Sequence, residues 1–398
     1  VLSMTKWFTD LEGVYAGGIH SGSKASGKKD LAFIYVPNAV ASAGVFTQNQ
    51  CCGANITLTR KSLKTNTLKA IIINSGNANA ATGTEGAHNA KRMAKKTAEC
   101  LDLNPSEVGV ASTGIIGVQL KIDAIEAGIE TLLEDTKAKD GESAAAGIMT
   151  TDLVEKHVFK EVKIGKKMIQ VAGIAKGSGM IEPNMATMLS FLVTNADIPQ
   201  STFQEWLKEA VDKSFNMISV DTDTSTSDMV VAFATGERQF SLSNKVEVEQ
   251  YKALLTDVCV ELGKKIARDG EGATKLIECQ VSGAATHVDA RAVAKSVINS
   301  PLIKTAIHGG DPNWGRLLMA VGKTPGIKVN AAKLSFKFGN CLVFKDGEPT
   351  DFNAEDAANG LKGEHVIVSV DMGLSTGQAT AWGCDLTKGY IDINVDYN

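Results

Sequence analysis

The strand-like segments of this chain do not alternate one for one with its helix-like segments, and that irregularity narrows the fold more than any other feature. Leu31 to Val36, Lys69 to Asn74, Gly109 to Ser112 and Val171 to Ala175 are short Ile- and Val-rich runs bounded by Gly, Asn or Pro, which predicts strands. Glu85 to Leu101 and Ile122 to Glu134 repeat apolar residues at spacings of three and four, which predicts helices. The second half repeats the mixture, with strands near Thr187 to Val193, Met229 to Ala234 and Leu276 to Val281. Its helices are expected near Thr202 to Ser214, Val246 to Arg268 and Asp289 to Asn299. Several strands come as hairpin-like pairs, for example Val158 to Val162 with Met168 to Val171. That favours a layered α+β architecture over a doubly wound parallel sheet. With 398 residues, two or three structural units are expected. The 38 glycines against 8 prolines point to tight turns between regular elements rather than to disordered linkers.

Charge excludes several function classes. Forty-one Lys and Arg against 45 Asp and Glu give a net charge of -4, without the basic excess of a nucleic-acid binder. No run approaches the roughly 18 apolar residues of a membrane span, and the first residues have no apolar signal region, so a cytoplasmic protein is expected. Seven scattered cysteines (51, 52, 100, 259, 279, 341 and 384) make no disulfide framework and are expected to be reduced and mostly buried. The six histidines lack an H-x-x-x-H pair, which disfavours a zinc site.

Four stretches could carry chemistry. Gly17 to Lys24 has the glycines of a phosphate loop, but Ser23 separates Gly22 from Lys24, so a glycine-rich turn before a strand is expected instead. Asn74 to Ala80 fits a polar pocket lining and an Asx-rich turn equally well. Thr113 and Gly114 end an apolar strand, where a hydroxyl beside a backbone N–H suits a developing oxyanion, although a β-turn uses the same pair. The most informative stretch runs from Lys176 to Phe191, a glycine-rich loop with one lysine leading through Pro183 to Thr187. The small Ala186 leaves the Ala186–Thr187 peptide open to attack by the Thr187 hydroxyl. Cleavage there would free an α-amine with a pKa of about 7.7–8.0, able to act as base for its own hydroxyl. An ordinary loop and strand would have the same composition.

The run Lys176-Gly-Ser-Gly-Met-Ile-Glu-Pro-Asn-Met-Ala-Thr-Met-Leu189 resembles the signature of the ornithine acetyltransferase (glutamate N-acetyltransferase) family, self-cleaving threonine enzymes of arginine biosynthesis. The likeness extends through Ala43 to Asn49, Asn74 to Ala80, Ser112-Thr113-Gly114 and Met149 to Asp152. It continues through Asp221 to Thr226, Gly270 to Ala273, Asp311 to Arg316 and Ile393 to Tyr397. The resemblance implies Thr187 as nucleophile and Thr113 with Gly114 as oxyanion hole. It implies Thr150 (or Thr151, one position on), Lys176, Thr187, Glu271 and Asn394 as substrate contacts. N-acetylornithine and glutamate are the implied substrates, with acetyl-CoA as a second donor in some members, and no metal or organic cofactor is implied. Cleavage between Ala186 and Thr187 would give an alpha chain, 1–186, and a beta chain, 187–398, assembled as a heterotetramer of two copies of each. The implied fold is a layered αββα sandwich resembling N-terminal-nucleophile hydrolases, with a smaller α/β region in the second half. Two departures stand out: Ala81 replaces the family's usual Cys, and the family's Ser or Thr beyond the Asp-Tyr pair is not within this sequence, which stops at Asn398. The alternatives are a self-cleaving aminopeptidase or amidase of related fold, with water as acceptor, and a non-catalytic small-molecule-binding protein.

Overall fold

Leu31–Tyr35 and Ala70–Asn77 are apolar along most of their length, so strands built from them need cover on both faces. The computed structural model, which describes residues 5–182 and 188–395, supplies that cover. The chain divides into two units, Val1–Asn216 with Asp223–Leu262 and Met217–Thr222 with Gly263–Asn398.

The strands of the first unit are β1 (Tyr15–Ile19), β2 (Leu31–Tyr35), β3 (Ala41–Phe46), β4 (Ala70–Asn77) and β5 (Val108–Ile115). They are followed by β6 (Lys156–Ile164), β7 (Lys167–Lys176), β8 (Leu189–Ala196) and β9 (Met229–Arg238). Its helices are α1 (Ala54–Thr65), α2 (Gly83–Leu101), α3 (Ile122–Leu132), α4 (Gly141–Ile148), α5 (Gln200–Lys213) and the start of α6 (Lys245–Arg268). One sheet has the order β1-β2-β4-β5 and the other β3-β9-β8-β7-β6. Ala32, Ile34, Ile71 and Ile73 of the first sheet share one buried core with Ile174, Phe191, Val231 and Phe233 of the second. The alternate residues Phe33, Ile72 and Val110 point the other way, onto Met93 and Ala98 of α2 and Ile125 and Ile129 of α3. Behind the second sheet, Tyr251 of α6 is buried beside Thr194 of β8, and its ring lies 5.5 Å from that of Trp206 in α5. The first unit is thus helix, sheet, sheet, helix, as expected. Gln204 of α5 pairs with both the N–H and the C=O of Gly44, covering an edge strand that would otherwise invite pairing with another chain.

The expected hairpin is β6–β7, with Val162 opposite Ile169. β7 and β8 are antiparallel neighbours, and Lys176 lies opposite Leu189. The two expected fragments therefore contribute adjacent strands to one sheet, and the boundary between them is not a boundary between the two units. The strand expected from Thr187 is β8, whose described part opens at Leu189; Thr187 itself lies outside the described residues.

The second unit holds a mixed six-stranded sheet. Its strands are β10 (Leu276–Ala284), β11 (Ser335–Phe338), β12 (Cys341–Lys345), β13 (Glu348–Pro349), β14 (His365–Asp371) and β15 (Gly377–Cys384), in the order β13-β12-β11-β14-β10-β15. Its helices are α7 (His287–Ile298), α8 (Pro301–Gly309), α9 (Trp314–Gly322), α10 (Ala354–Asn359) and α11 (Lys388–Asn394). α8 shows why a local sequence stops and starts a helix: Ser300 accepts the Ile303 N–H, Pro301 opens the first turn, and Gly310 closes it at φ 72°.

Two expectations need correction. Gly17 and Gly18 lie inside β1, because a Cβ on Gly18 would meet the Ser143 carbonyl at 2.1 Å, so α4 can approach only a glycine; the turn is confined to the residues after Ile19. Three of the seven cysteines (259, 279 and 384) are buried, not most of them; Cys51 is exposed and the others are half-buried, Cys52 and Cys100 at the margins of the two cores of the first unit rather than inside them. Among the described residues no helix is long and apolar enough to cross a membrane.

Candidate active site

β4 and β5 run parallel, and their ladder becomes irregular where Gly76 meets Gly114. Gly114 has φ 129°, and a Cβ there would fall 2.3 Å from the Gly76 carbonyl carbon, so only glycine fits. The preceding Thr113 is buried, and its Oγ1 accepts a hydrogen bond from the Lys176 ammonium at 3.3 Å. An ammonium can only donate, so this contact occupies a lone pair of Thr113 and leaves its O–H free to donate. A free hydroxyl donor beside a glycine backbone, backed by a buried cation, suits a developing oxyanion.

Lys176 closes β7 and is itself buried. Beyond it the Gly177 N–H donates to Asp152 Oδ1 at 2.7 Å. Asp152 Oδ2 accepts the Thr150 N–H at 3.0 Å, so one carboxylate holds both the lysine loop and the threonine turn. The same Oδ1 accepts Lys156 Nζ at 2.6 Å, and both side chains are fully enclosed. Burial alone would push the Asp152 carboxyl up, but the ammoniums of Lys156 and Lys176 hold it well below the usual carboxylate range. Thr150 and Thr151 are both half-buried on this turn.

Asp228, just before β9, is the opposite case. It is fully buried, and among the described residues its Oδ2 has no hydrogen-bond partner. Burial pushes its carboxyl well above the carboxylate range, outweighing the opposing pull of Lys176 and of the Met188 N–H. Asp228 thus sits one hydrogen bond from the residue that follows Thr187 in sequence. Sequence reasoning missed Asp152, Lys156 and Asp228 as functional groups. The only available signal was Asp152's place at the end of the Met149 to Asp152 motif. The expected nucleophile Thr187 and its cleavage partner Ala186 lie outside the described residues.

In the second unit Glu271 is buried, not the solvated turn charge that its glycine neighbours suggest. Its Oε2 accepts Asn394 Nδ2 at 2.7 Å, which joins two of the expected substrate contacts directly. Gly272 follows at φ 70°, and a Cβ there would strike the Tyr390 amide at 2.4 Å, so glycine is what lets α11 bring Asn394 to Glu271. Among the described residues Glu271 meets no Lys or Arg, and a buried carboxylate with only an amide partner favours a cationic ligand.

Asn74 to Ala80 divides between its two readings. Asn74 is buried and donates to the Asn77 carbonyl at 2.9 Å, while Asn79 (φ 50°) bonds Thr82 and the Gly86 carbonyl, as an Asx turn opening α2 does.

The profile of the ArgJ family matches residues 15–398. The arginine biosynthesis bifunctional protein ArgJ of a Synechococcus strain is 44% identical over 397 residues, covering 97% of this chain and 95% of that protein. Arginine biosynthesis bifunctional protein ArgJ 1 of Clostridium acetobutylicum is 45% identical over 401 residues, covering 98% and 97%. Among solved structures, a chain of Mycobacterium tuberculosis ornithine acetyltransferase in complex with ornithine is 36% identical. It covers 45% of this chain and 95% of that chain, with a TM-score of 0.41.

Proposed function

Because the chain belongs to the ArgJ family, we propose that it is an ornithine acetyltransferase of arginine biosynthesis, moving an acetyl group from N-acetylornithine to glutamate. The observation that carries this reading is the buried Lys176–Thr113 contact, which leaves a hydroxyl donor free beside Gly114. In maturation the Thr187 hydroxyl attacks the Ala186 carbonyl, an N-to-O shift forms an ester, and water releases 1–186 from 187–398. In turnover the same hydroxyl takes the acetyl group, its proton passing to the freed α-amine and on to the departing ornithine nitrogen. Thr113 and Gly114 hold the oxyanion in both directions. Glutamate's amine then removes the acetyl group. The relatives are named bifunctional, which supports acetyl-CoA as a second donor to the same threonine. We assign the reaction to the cytoplasm and the assembly to two alpha and two beta chains.

A covalent acetyl-threonine requires ping-pong kinetics. Double-reciprocal plots at several glutamate concentrations are expected to be parallel. Incubation with N-acetylornithine or acetyl-CoA alone is expected to add roughly 42 Da, an acetyl group in place of a proton, to the 187–398 fragment. Intersecting lines without the adduct indicate direct transfer between bound substrates; free acetate in place of N-acetylglutamate indicates an amidase.

The two substrates share an α-carboxylate but end in opposite charges. Lys176 is assigned to the shared carboxylate, and Glu271 with Asn394 to the ornithine ammonium. Glu271→Gln is therefore expected to weaken the acetylornithine half-reaction more than the glutamate half-reaction, and Lys176→Met to damage both. A lost charge-assisted contact is worth about 10- to 150-fold in affinity. Equal loss in both halves for Glu271→Gln contradicts the assignment, and isotope exchange into each half separately measures it.

A further inference from the structure

The glycine-rich stretch that ends at Lys24 has no part in the reaction as written above, yet its lysine reaches the same cluster. Lys24 Nζ donates to the Met149 carbonyl at 2.6 Å and to the Lys29 carbonyl at 2.9 Å. Its own N–H is held by Asp30 Oδ2 at 2.9 Å, so the root of the side chain is fixed as well. Between root and tip, its Cγ lies 3.2 Å from where a Cβ on Gly76 would stand, so the stem passes over the glycine against which Gly114 is packed. The Met149 carbonyl belongs to the peptide that joins Met149 to Thr150. That peptide is consequently gripped on both sides: its carbonyl by Lys24 and its N–H by Asp152.

We propose that Lys24 is a positioning residue for acetyl transfer, its ammonium fixing the Met149–Thr150 peptide relative to the strand pair that carries Thr113 and Gly114. The proposal deepens the acetyltransferase reading and rests on it for the readout in turnover, but the clamp itself is measurable without turnover. Four charged groups face the ammonium: Asp30 beside its own loop, Lys28 on that loop, Lys176 of β7 and Asp152 after α4. Burial is the largest influence and lowers the pKa to about 8; Asp30 and Asp152 oppose it, while Lys176 and Lys28 add to it. The sign follows directly. The clamp is charged and complete below about pH 8 and is lost as the pH rises through that value. The α-amine of Thr187 titrates nearby with the opposite consequence, because it serves as base only when neutral. Together they give a bell, with a rising limb from the amine and a falling limb from Lys24.

Lys24→Arg keeps the donor and cannot deprotonate in this range, whereas Lys24→Met removes it. In Lys24→Arg the rising limb of kcat/KM is expected to stay and the falling limb to move up by more than one pH unit. Lys24→Met is expected to lose roughly 10- to 100-fold in kcat/KM at pH 7.5, mainly through KM, with no falling limb at all. A falling limb unchanged in active Lys24→Arg, or a Lys24→Met enzyme of wild-type kcat/KM, overturns the proposal. Amide hydrogen exchange across Met149 to Asp152, corrected for the intrinsic rate at each pH, is the second measurement. Protection is expected to drop above pH 8 in the wild type and to hold in Lys24→Arg. If the wild type transfers no acetyl group, the functional reading fails while the exchange data still decide on the clamp. Wild-type protection that is flat across pH 8 removes the clamp even if transfer proceeds.

Discussion

Thr187→Ala is expected to run as one 398-residue chain on a denaturing gel and to transfer no acetyl group, whereas the wild type separates into 1–186 and 187–398. In the proposed mechanism three functions rest on one residue, and all three are expected to vanish together. Without a hydroxyl no attack on the Ala186 carbonyl can form the ester that water opens. Without cleavage the nitrogen of residue 187 remains an amide, which cannot act as a base near neutral pH, so the general base for turnover is never made. Without Oγ there is no acceptor for the acetyl group. Thr187→Ser separates these effects, since it keeps the hydroxyl and the amine. It is expected to cleave and to turn over, with altered rates, because the missing methyl relaxes the rotamer restriction of a β-branched side chain. Intact-mass spectrometry and an acetylornithine–glutamate assay on the same sample decide the matter. A full-length Thr187→Ala protein that still makes N-acetylglutamate removes Thr187 from the mechanism.

Much of this molecule was legible in the sequence where local pattern and tertiary role agree. The Ile-rich run of β4, the three- and four-residue spacing of α2 and the β6–β7 hairpin all have local signatures, and each formed as read. The Thr113–Gly114 pair could be placed at the end of an apolar run, and the structure adds the reason for the glycine. What could not be read depends on burial. Asp152 and Lys156 stand four apart, a spacing that ordinarily marks an exposed ion pair, yet both are enclosed. Asp228 ends a polar run, Asp221 to Asp228, with the composition of a solvated loop, and the upward shift of its carboxyl arises only from what the fold stacks around it. α4, Gly-Glu-Ser-Ala-Ala-Ala-Gly-Ile, has too few large side chains to show a period; its small residues are what allow it to lie against Gly18. Lys24 was visible but misjudged, because a phosphate-loop test asks only about spacing, not about which carbonyls a lysine reaches.

Asp152→Asn is expected to destabilise the first unit by about 3–5 kcal/mol, the cost of removing one charge of a buried ion pair. Lys156 would keep its ammonium in an enclosed site, where it also donates to the Val154 carbonyl at 3.3 Å. The loss is best measured in a Thr187→Ala background, where the chain unfolds in one piece and dissociation of fragments does not enter. The midpoint of urea unfolding is expected to fall, and Asp152→Asn combined with Lys156→Met to recover much of the difference, because the second change removes the buried ammonium that faced the carboxylate. The pH dependence follows from the direction of the Asp152 shift. A carboxyl whose native pKa lies below its unfolded value stabilises the fold fully above that unfolded value, about 4, and loses the contribution as the pH falls through the native one. The gap between wild type and Asp152→Asn is therefore expected to be constant from about pH 5 to 7 and to close on acidification below about pH 4. A gap independent of pH would mean that the asparagine disrupts packing rather than charge. The same carboxylate binds the Thr150 and Gly177 amides, so it also sets the geometry of the turn and the lysine loop on either side of it. Stability and the geometry of the Thr150 turn are coupled here through one side chain, and because its carboxyl is held well below the usual range, the turn is expected to keep its shape into more acidic conditions than ordinary carboxylates withstand.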